Sequence, residues 1–202
     1  MDLKFIDSNN KLNDFLNSEK KTIEIGCGNI RVFENSLTLD IIEGENVDIV
    51  CDIENGLPFI PDNSIDVVYS SHVLEHLTKF EFCMAEISRV LKKGGMQICK
   101  VPHFTNPYFY SDYTHKRTFG IYSFSYFSNT PYFKRGVPKY NSIHFKIKKV
   151  KIVFYSHYWV LNVFNKLFQF LFNSCRFTQE FYEAYFFKFI SAYEIRFELE
   201  KE

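Results

Sequence analysis

The residues best suited to chemistry are two glycines and two acids between positions 26 and 52. Gly26 and Gly28 interrupt an apolar run, Ile23-Glu24-Ile25, at the point where a buried strand would turn. A glycine there removes the Cβ that would keep a ligand from the backbone. Leu37, Thr38 and Leu39 form a second apolar run, and Asp40 closes it. A carboxylate at the carboxyl end of a strand in an open parallel sheet faces the ligand crevice, and a ribose diol is its natural partner; the alternative is a strand-end carboxylate turned to solvent. Asp52, after the run Val47–Cys51, repeats the arrangement, or serves as a turn-forming Asp bonded to its own backbone. Farther along, residues 102–133 interleave twelve aromatic rings with His103, Asp112, His115, Lys116 and Arg117. Such a segment either packs as a connector with its charges in water, or forms a lid whose rings exclude water while its polar groups fix an acceptor.

These groups need a sheet to hold them. Apolar runs at 23–25, 37–39, 47–51, 65–69 and 96–101 read as strands, and Val73 to Leu91 reads as a helix capped by Lys92-Lys93-Gly94-Gly95. Residues 2–20 have the loose periodicity of a peripheral helix. Only eleven residues separate Gly28 from Asp40, too few for a full crossover helix, so the first helix must be very short or irregular. The order indicates an α/β sheet with mostly parallel strands. Beyond it, 145–155 and 191–202 read as strands, one rich in Lys and the other in Glu. They are expected to pair antiparallel, with a bulge near Lys148-Lys149 where the apolar period slips. The lysines at 146, 148, 149 and 151 suit a protected edge strand. Helices are expected at 158–173 and 177–190. The first confines Asn162, Asn165 with Lys166, Gln169 and Asn173 to a narrow stripe and is otherwise apolar, which implies burial under the second helix or in a homodimer contact, ahead of contact with a membrane surface; with a lysine and about sixteen residues it is short for a membrane span.

Bulk properties narrow the partners. The 202 residues suit a single domain (1–202), with a cofactor-binding half at 1–101, an aromatic segment at 102–140 and a strand-helix-helix-strand unit at 141–202. Lys+Arg and Asp+Glu both number 24, and no basic block offers a nucleic-acid footprint. The N-terminal stretch lacks the pattern of a secretion signal, and five cysteines without a CxxC pair read as reduced thiols, so a cytoplasmic location is expected.

IEIGCGN at 23–29, Asp40, CDI at 51–53, LPFIPDNSIDVVYSSHVLEHL at 57–77 and RVLKKGGMQI at 89–98 occur in one order. In that order they resemble the class I S-adenosylmethionine-dependent methyltransferases, in particular the small bacterial, type 11-like enzymes found in surface-polysaccharide biosynthesis. The resemblance covers about residues 20–120. It implies a Rossmann-like fold with a truncated first crossover helix, S-adenosylmethionine as cofactor and S-adenosylhomocysteine as product. Carried over by position, Glu24, Gly26, Cys27 and Gly28 would meet the methionine portion, Asp40 with Ile41 the ribose, and Asp52 with Ile53 the adenine. Ser70, Ser71 and His72 would lie beside the sulfonium. The chain departs from the family at Ile30, where a third glycine is usual. DYTHKRTF at 112–119 also resembles an element of the polysaccharide-linked relatives.

The implied reaction is O-methylation of a small polar or anionic acceptor, such as a nucleotide-linked sugar or a phosphorylated polysaccharide precursor. Alignment is the main task of such an enzyme. If the acceptor is a neutral hydroxyl, His103 or His115 would take its proton, while Tyr108, Tyr110, Asp112, Lys116 and Arg117 would position it. HVLEH at 72–76 fits the H-x-x-E-H pattern of one zinc peptidase group, but it begins at a strand end and no third ligand has an obvious spacing, so no metal is assigned. Two other readings are a non-catalytic binding protein on the same fold and a NAD-dependent dehydrogenase. The second is disfavoured because Asp40 follows Gly26 by only fourteen residues (40 − 26).

Overall fold

A computed structural model describes residues 6–7 and 10–202. Its centre is one mixed sheet. In chain order the strands are β1 (Ile6–Asp7), β2 (Thr22–Ile25), β3 (Leu37–Asp40), β4 (Ile49–Val50), β5 (Ile65–Ser71), β6 (Leu91–Pro102), β7 (Phe145–Val153) and β8 (Glu194–Lys201). They lie in the order β1-β4-β3-β2-β5-β6-β8-β7. The run β4-β3-β2-β5-β6 is parallel, β1 is antiparallel to β4, and β8 is antiparallel to both β6 and β7. The expected α/β sheet with an antiparallel C-terminal pair is therefore present. Chain order reverses direction at β2, whose neighbours are β3 on one side and β5 on the other. That is the topological switch point where open α/β sheets bind ligands.

The link from β2 to β3 carries no helix at all, where a very short or irregular one was expected. The carboxylate of Glu24, buried at the centre of β2, gathers it instead, accepting from the backbone N–H of Val32 (2.8 Å) and Phe33 (2.7 Å) and from Ser36 Oγ (2.5 Å). Arg31 then reaches across β3 to Ser36 O, Thr38 and both oxygens of Asp48. One buried carboxylate and one guanidinium replace the packing that a crossover helix would supply. Of the expected N-terminal helix, residues 1–5 and 8–9 lie outside the described residues; Ile6–Asp7 are a strand, and helix α1 spans Lys11–Leu16.

The helix expected over 73–91 is shorter. Helix α2 spans Phe80–Val90, because His72 takes a left-handed backbone (φ 55°) and residues 73–78 form turns. Leu74 and Leu77 are buried all the same, so their spacing reported burial and not helix. The start of α2 is capped from a distance: Glu54 accepts from the N–H groups of Thr78 and Lys79, and Arg117 donates to Leu77 O (2.6 Å). At the other end Lys92–Gly95 do not cap the helix. Leu91 is already extended, and residues 92–95 form an irregularity inside β6 where its register with β5 shifts.

Strands β7 and β8 pair as their charges suggested, with Lys148–Glu200 at 3.1 Å, Lys149–Glu198 at 3.2 Å and a register shift between Ile147 and Lys149. Strand β7 is the sheet edge. Helix α3 (Trp159–Phe172) lies along it, followed by α4 (Arg176–Phe181) and a π-helical turn at 182–186. The polar stripe of α3 faces inward. Asn173 exchanges both of its amide bonds with Ile152 N and O (2.8 Å each), Gln169 accepts from Phe154 N, and Gln179 of α4 donates to Val150 O. Side-chain amides thereby complete the free edge of β7. The apolar side of α3 faces outward and is not buried under the second helix, one of the placements expected for it: Trp159, Phe164, Leu167 and Phe170 are exposed.

Candidate active site

A cavity of about 470 Å³ opens at the carboxyl ends of β2, β3 and β4, walled on one side by the turn after β5. Its size suits a nucleotide-sized ligand. The glycine turn forms its floor. Gly26 (φ 68°) donates to Leu39 O, and an added Cβ would stand 2.1 Å from Val73 Cγ2. Gly28 (φ 53°) would place a Cβ in open space, and its N–H donates to Asp40 Oδ2 (2.8 Å). Asp40 Oδ1 accepts from Ile42 N (3.0 Å). Each oxygen of Asp40 accepts one backbone bond and retains a lone pair for a ligand hydroxyl. Asp52 caps the short helical turn 53–55 through Glu54 N (2.9 Å) and also faces the cavity, so the two readings of this residue are compatible. Ile41 and Ile42 stand exposed at the rim.

Of the residues singled out by sequence, Gly26, Gly28, Asp40, Ile41, Asp52, Ile53, His72 and Lys116 line this cavity. Glu24, Cys27 and Ser71 line a smaller cavity on the far side of the glycine turn, together with Tyr69 and Lys100. Burial and the carboxylates of Asp40 and Glu24 push the Cys27 thiol up to about 11, which leaves it protonated and unreactive. Ser70 is fully buried and faces neither cavity. Ile30 also lines the smaller cavity and is 71% exposed, so no protein group packs against it closely enough to demand glycine there.

His72 sits between two carboxylates, Glu194 Oε2 at 3.2 Å and Glu75 Oε1 at 3.3 Å, and they raise its pKa to about 9, Glu194 contributing most. It is an imidazolium at neutral pH and no general base. His103, the first choice for that role, is fully buried with both ring nitrogens engaged, Nδ1 with Thr105 Oγ1 (2.8 Å) and Nε2 with Glu183 (3.0 Å). It offers the cavity no free nitrogen. His115 lies behind the cavity wall, stacked on Phe109 and against His76.

The segment 102–133 is more core than cover. Phe109, Phe119, Phe124, Phe127 and Phe133 are buried, whereas Tyr108 and Tyr110 are exposed and turned to His157 and Phe104 O. Asp112 binds Thr114, Arg117 is spent on the turn before α2, and Lys116 alone of these candidates reaches the cavity, held by Thr78 Oγ1. Sequence reasoning missed Val73, His76 and Leu77 as cavity residues because their helical spacing assigned them to a helix core.

Residues 23–99 match the family model of a methyltransferase domain. No curated protein sequence matches the chain. Solved structures do resemble it. An S-adenosylmethionine-dependent methyltransferase from Archaeoglobus fulgidus is 17% identical, with 95% of this chain and 90% of that one aligned at a TM-score of 0.54. A Bacillus halodurans protein assigned to the methyltransferases is 15% identical over 95% and 97% of the two chains, at a TM-score of 0.53. A chain from the Haloferax volcanii complex of the Trm112 methyltransferase activator is 12% identical over 90% and 82%, also at 0.53. The fold is the Rossmann-like fold of the class I methyltransferases, and the matched domain carries the glycine turn, Asp40, Asp52 and the wall at 72–77.

Proposed function

We propose that this chain transfers a methyl group from S-adenosylmethionine to an oxygen of a small polar acceptor, with a nucleotide-linked sugar or a phosphorylated precursor of a surface polysaccharide as the favoured class. The observation that carries the cofactor reading is the convergence of Gly26, Gly28, Asp40 and Asp52 on one cavity at the switch point of the sheet. The residues fit that cofactor: Asp40 keeps a lone pair on each oxygen for the ribose diol, and the exposed Ile41 and Ile42, with Ile53 and Leu77, supply apolar surface for the adenine. When bound, the cofactor supplies a methyl group already activated by positive sulfur, so the protein is left to align it. Lys116, on the cavity wall, suits an anionic acceptor. The acceptor class rests on the resemblance of DYTHKRTF to polysaccharide-linked relatives, and five unpaired cysteines fit a cytoplasmic reaction.

Calorimetry with S-adenosylhomocysteine tests the cofactor reading. Wild type should bind, and Asp40→Ala should weaken binding roughly 10- to 100-fold, the loss expected for hydrogen bonds to a charged acceptor. No binding at millimolar ligand overturns it. Transfer of labelled methyl to a panel of nucleotide sugars and phosphorylated precursors then identifies the acceptor.

We further propose a homodimer through the outward face of α3. Among the described residues no helix is long and apolar enough to cross a membrane. Trp159, Val163, Phe164, Leu167, Phe170, Phe177 and Phe189 are nevertheless 52–81% exposed. At roughly 150–200 Å² for each large side chain, those on α3 alone present on the order of 500 Å². That lies at the upper end of the largest patch of most monomers, about 300–600 Å².

A further inference from the structure

We infer that Glu75, His76 and His115 form a binding site for one divalent transition-metal ion in the wall of the main cavity. Their ligand atoms lie within 4.8 Å of one another, although His115 is thirty-nine residues from His76 (115 − 76). Neighbours select the tautomer of each neutral imidazole. Thr114 Oγ1 gives its proton to Asp112 Oδ1 (2.6 Å), so it accepts at its contact with His76 Nδ1 (2.9 Å). The carbonyl of Phe109 only accepts, so His115 Nδ1, 2.9 Å away, carries a proton as well. In the neutral tautomer each ring has its lone pair on Nε2, the arrangement in which a metal-ligating histidine is held by its outer neighbours.

Glu75 supplies the charge. Its side chain is fully buried, and among the described residues neither oxygen has a hydrogen-bond partner of good geometry. Its nearest polar neighbour, His72 at 3.3 Å, is also engaged by Glu194 at 3.2 Å. A buried carboxylate without a hydrogen-bond partner of its own calls for a positive charge beside it. Two imidazole nitrogens and one carboxylate suit Zn²⁺, Mn²⁺, Fe²⁺ or Co²⁺ and leave coordination positions open. Asp112 Oδ2, 3.6 Å from His115 Nε2, is an additional oxygen within reach. Metal bonds of about 2.0–2.2 Å require the three side chains to draw together by roughly an ångström.

This geometry is not that of the zinc peptidase pattern, in which His72 and His76 would share a helical face. Here His72 is paired to Glu194, and the second histidine comes from the aromatic segment. Of the three ligands His76 lines the cavity, beside Lys116, so an ion held here would border the space left for an acceptor. Resting on the methyl-transfer reading, the ion would chelate two adjacent oxygens of the acceptor, a diol or a phosphate with its neighbouring hydroxyl. A hydroxyl so bound releases its proton to water more readily and becomes the nucleophile without a histidine base.

The test uses the whole chain, stripped with a chelator and titrated with Co²⁺ alone and with Mn²⁺ alone. Visible absorption of Co²⁺ and magnetic resonance of free Mn²⁺ should both report one ion per chain. His76→Ala and His115→Ala should each weaken binding at least roughly 10-fold, and His115→Cys should retain Co²⁺ with a new thiolate charge-transfer band, which also controls for folding. An absent stoichiometric ion, or binding unchanged in the His76→Ala/His115→Ala protein, overturns the site. Binding of S-adenosylhomocysteine to the metal-free protein is measured separately. Its failure overturns the methyl-transfer reading without touching the metal site, and the reverse also holds.

Discussion

At the scale of single residues, the two glycines of the cofactor turn are not equivalent. Gly26 has a positive φ and a neighbour 2.1 Å from where a Cβ would stand, whereas Gly28 has a positive φ and empty space. Gly26→Ala should cost about 2–4 kcal/mol and abolish ligand binding, because Val73 and the cavity wall must move. Gly28→Ala should cost only the left-handed strain, about 1–2 kcal/mol. Urea unfolding of the pair checks the difference. Asp48 is the other decisive single residue. It is buried and accepts from Lys11 (2.6 Å), Arg31 (2.8 Å) and Thr38 N (3.1 Å). Burial alone would raise its pKa, but the bonds from Lys11 and Arg31 outweigh that and hold it below 3.8. A lowered folded pKa stabilises above the unfolded value and loses that contribution as pH falls through the folded one. Asp48→Asn should therefore destabilise by about 3 kcal/mol at neutral pH, and the gap between wild type and variant should close below pH 3.8. Denaturant titrations across that range measure it.

At the scale of elements, α3 behaves as an edge guard. Its amides satisfy the backbone of β7, which would otherwise offer an unpaired strand to another chain. Asn173→Ala leaves Ile152 N and O without partners and should cost about 1–3 kcal/mol. Faster hydrogen exchange at Ile152 would show that the loss is local to the edge. The stripe of Asn and Gln was legible as a stripe. Its direction was not, since polar residues on an otherwise apolar helix ordinarily face water, and only the position of β7 turned them inward. Helix α2 gives the same lesson. Apolar spacing over 73–91 correctly marked what is buried, but Glu54 and Arg117, more than twenty residues away on either side, decide that residues 73–78 form a turn.

At the scale of the whole molecule, the apolar side of α3 calls for a partner. Size-exclusion chromatography with light scattering should give a dimer at micromolar concentration, and Phe164→Glu with Leu167→Glu should give a monomer. Both side chains are more than half exposed in the single chain, so these substitutions should leave its folding stability within about 0.5 kcal/mol.

The cofactor half of this protein was largely determined by its sequence, because a glycine turn, a strand-end acid and their spacing act locally, within a few residues of the backbone they shape. Gly26, Gly28, Asp40 and Asp52 meet in one cavity as their spacing required. The segment after β6 was decided by tertiary structure. His103 and His115 stand in similar aromatic surroundings in sequence, yet one is sealed between Thr105 and Glu183 and the other is brought against His76 and Glu75. No local pattern encodes that difference. It depends on where the chain returns after β6 and on which carboxylate it finds there.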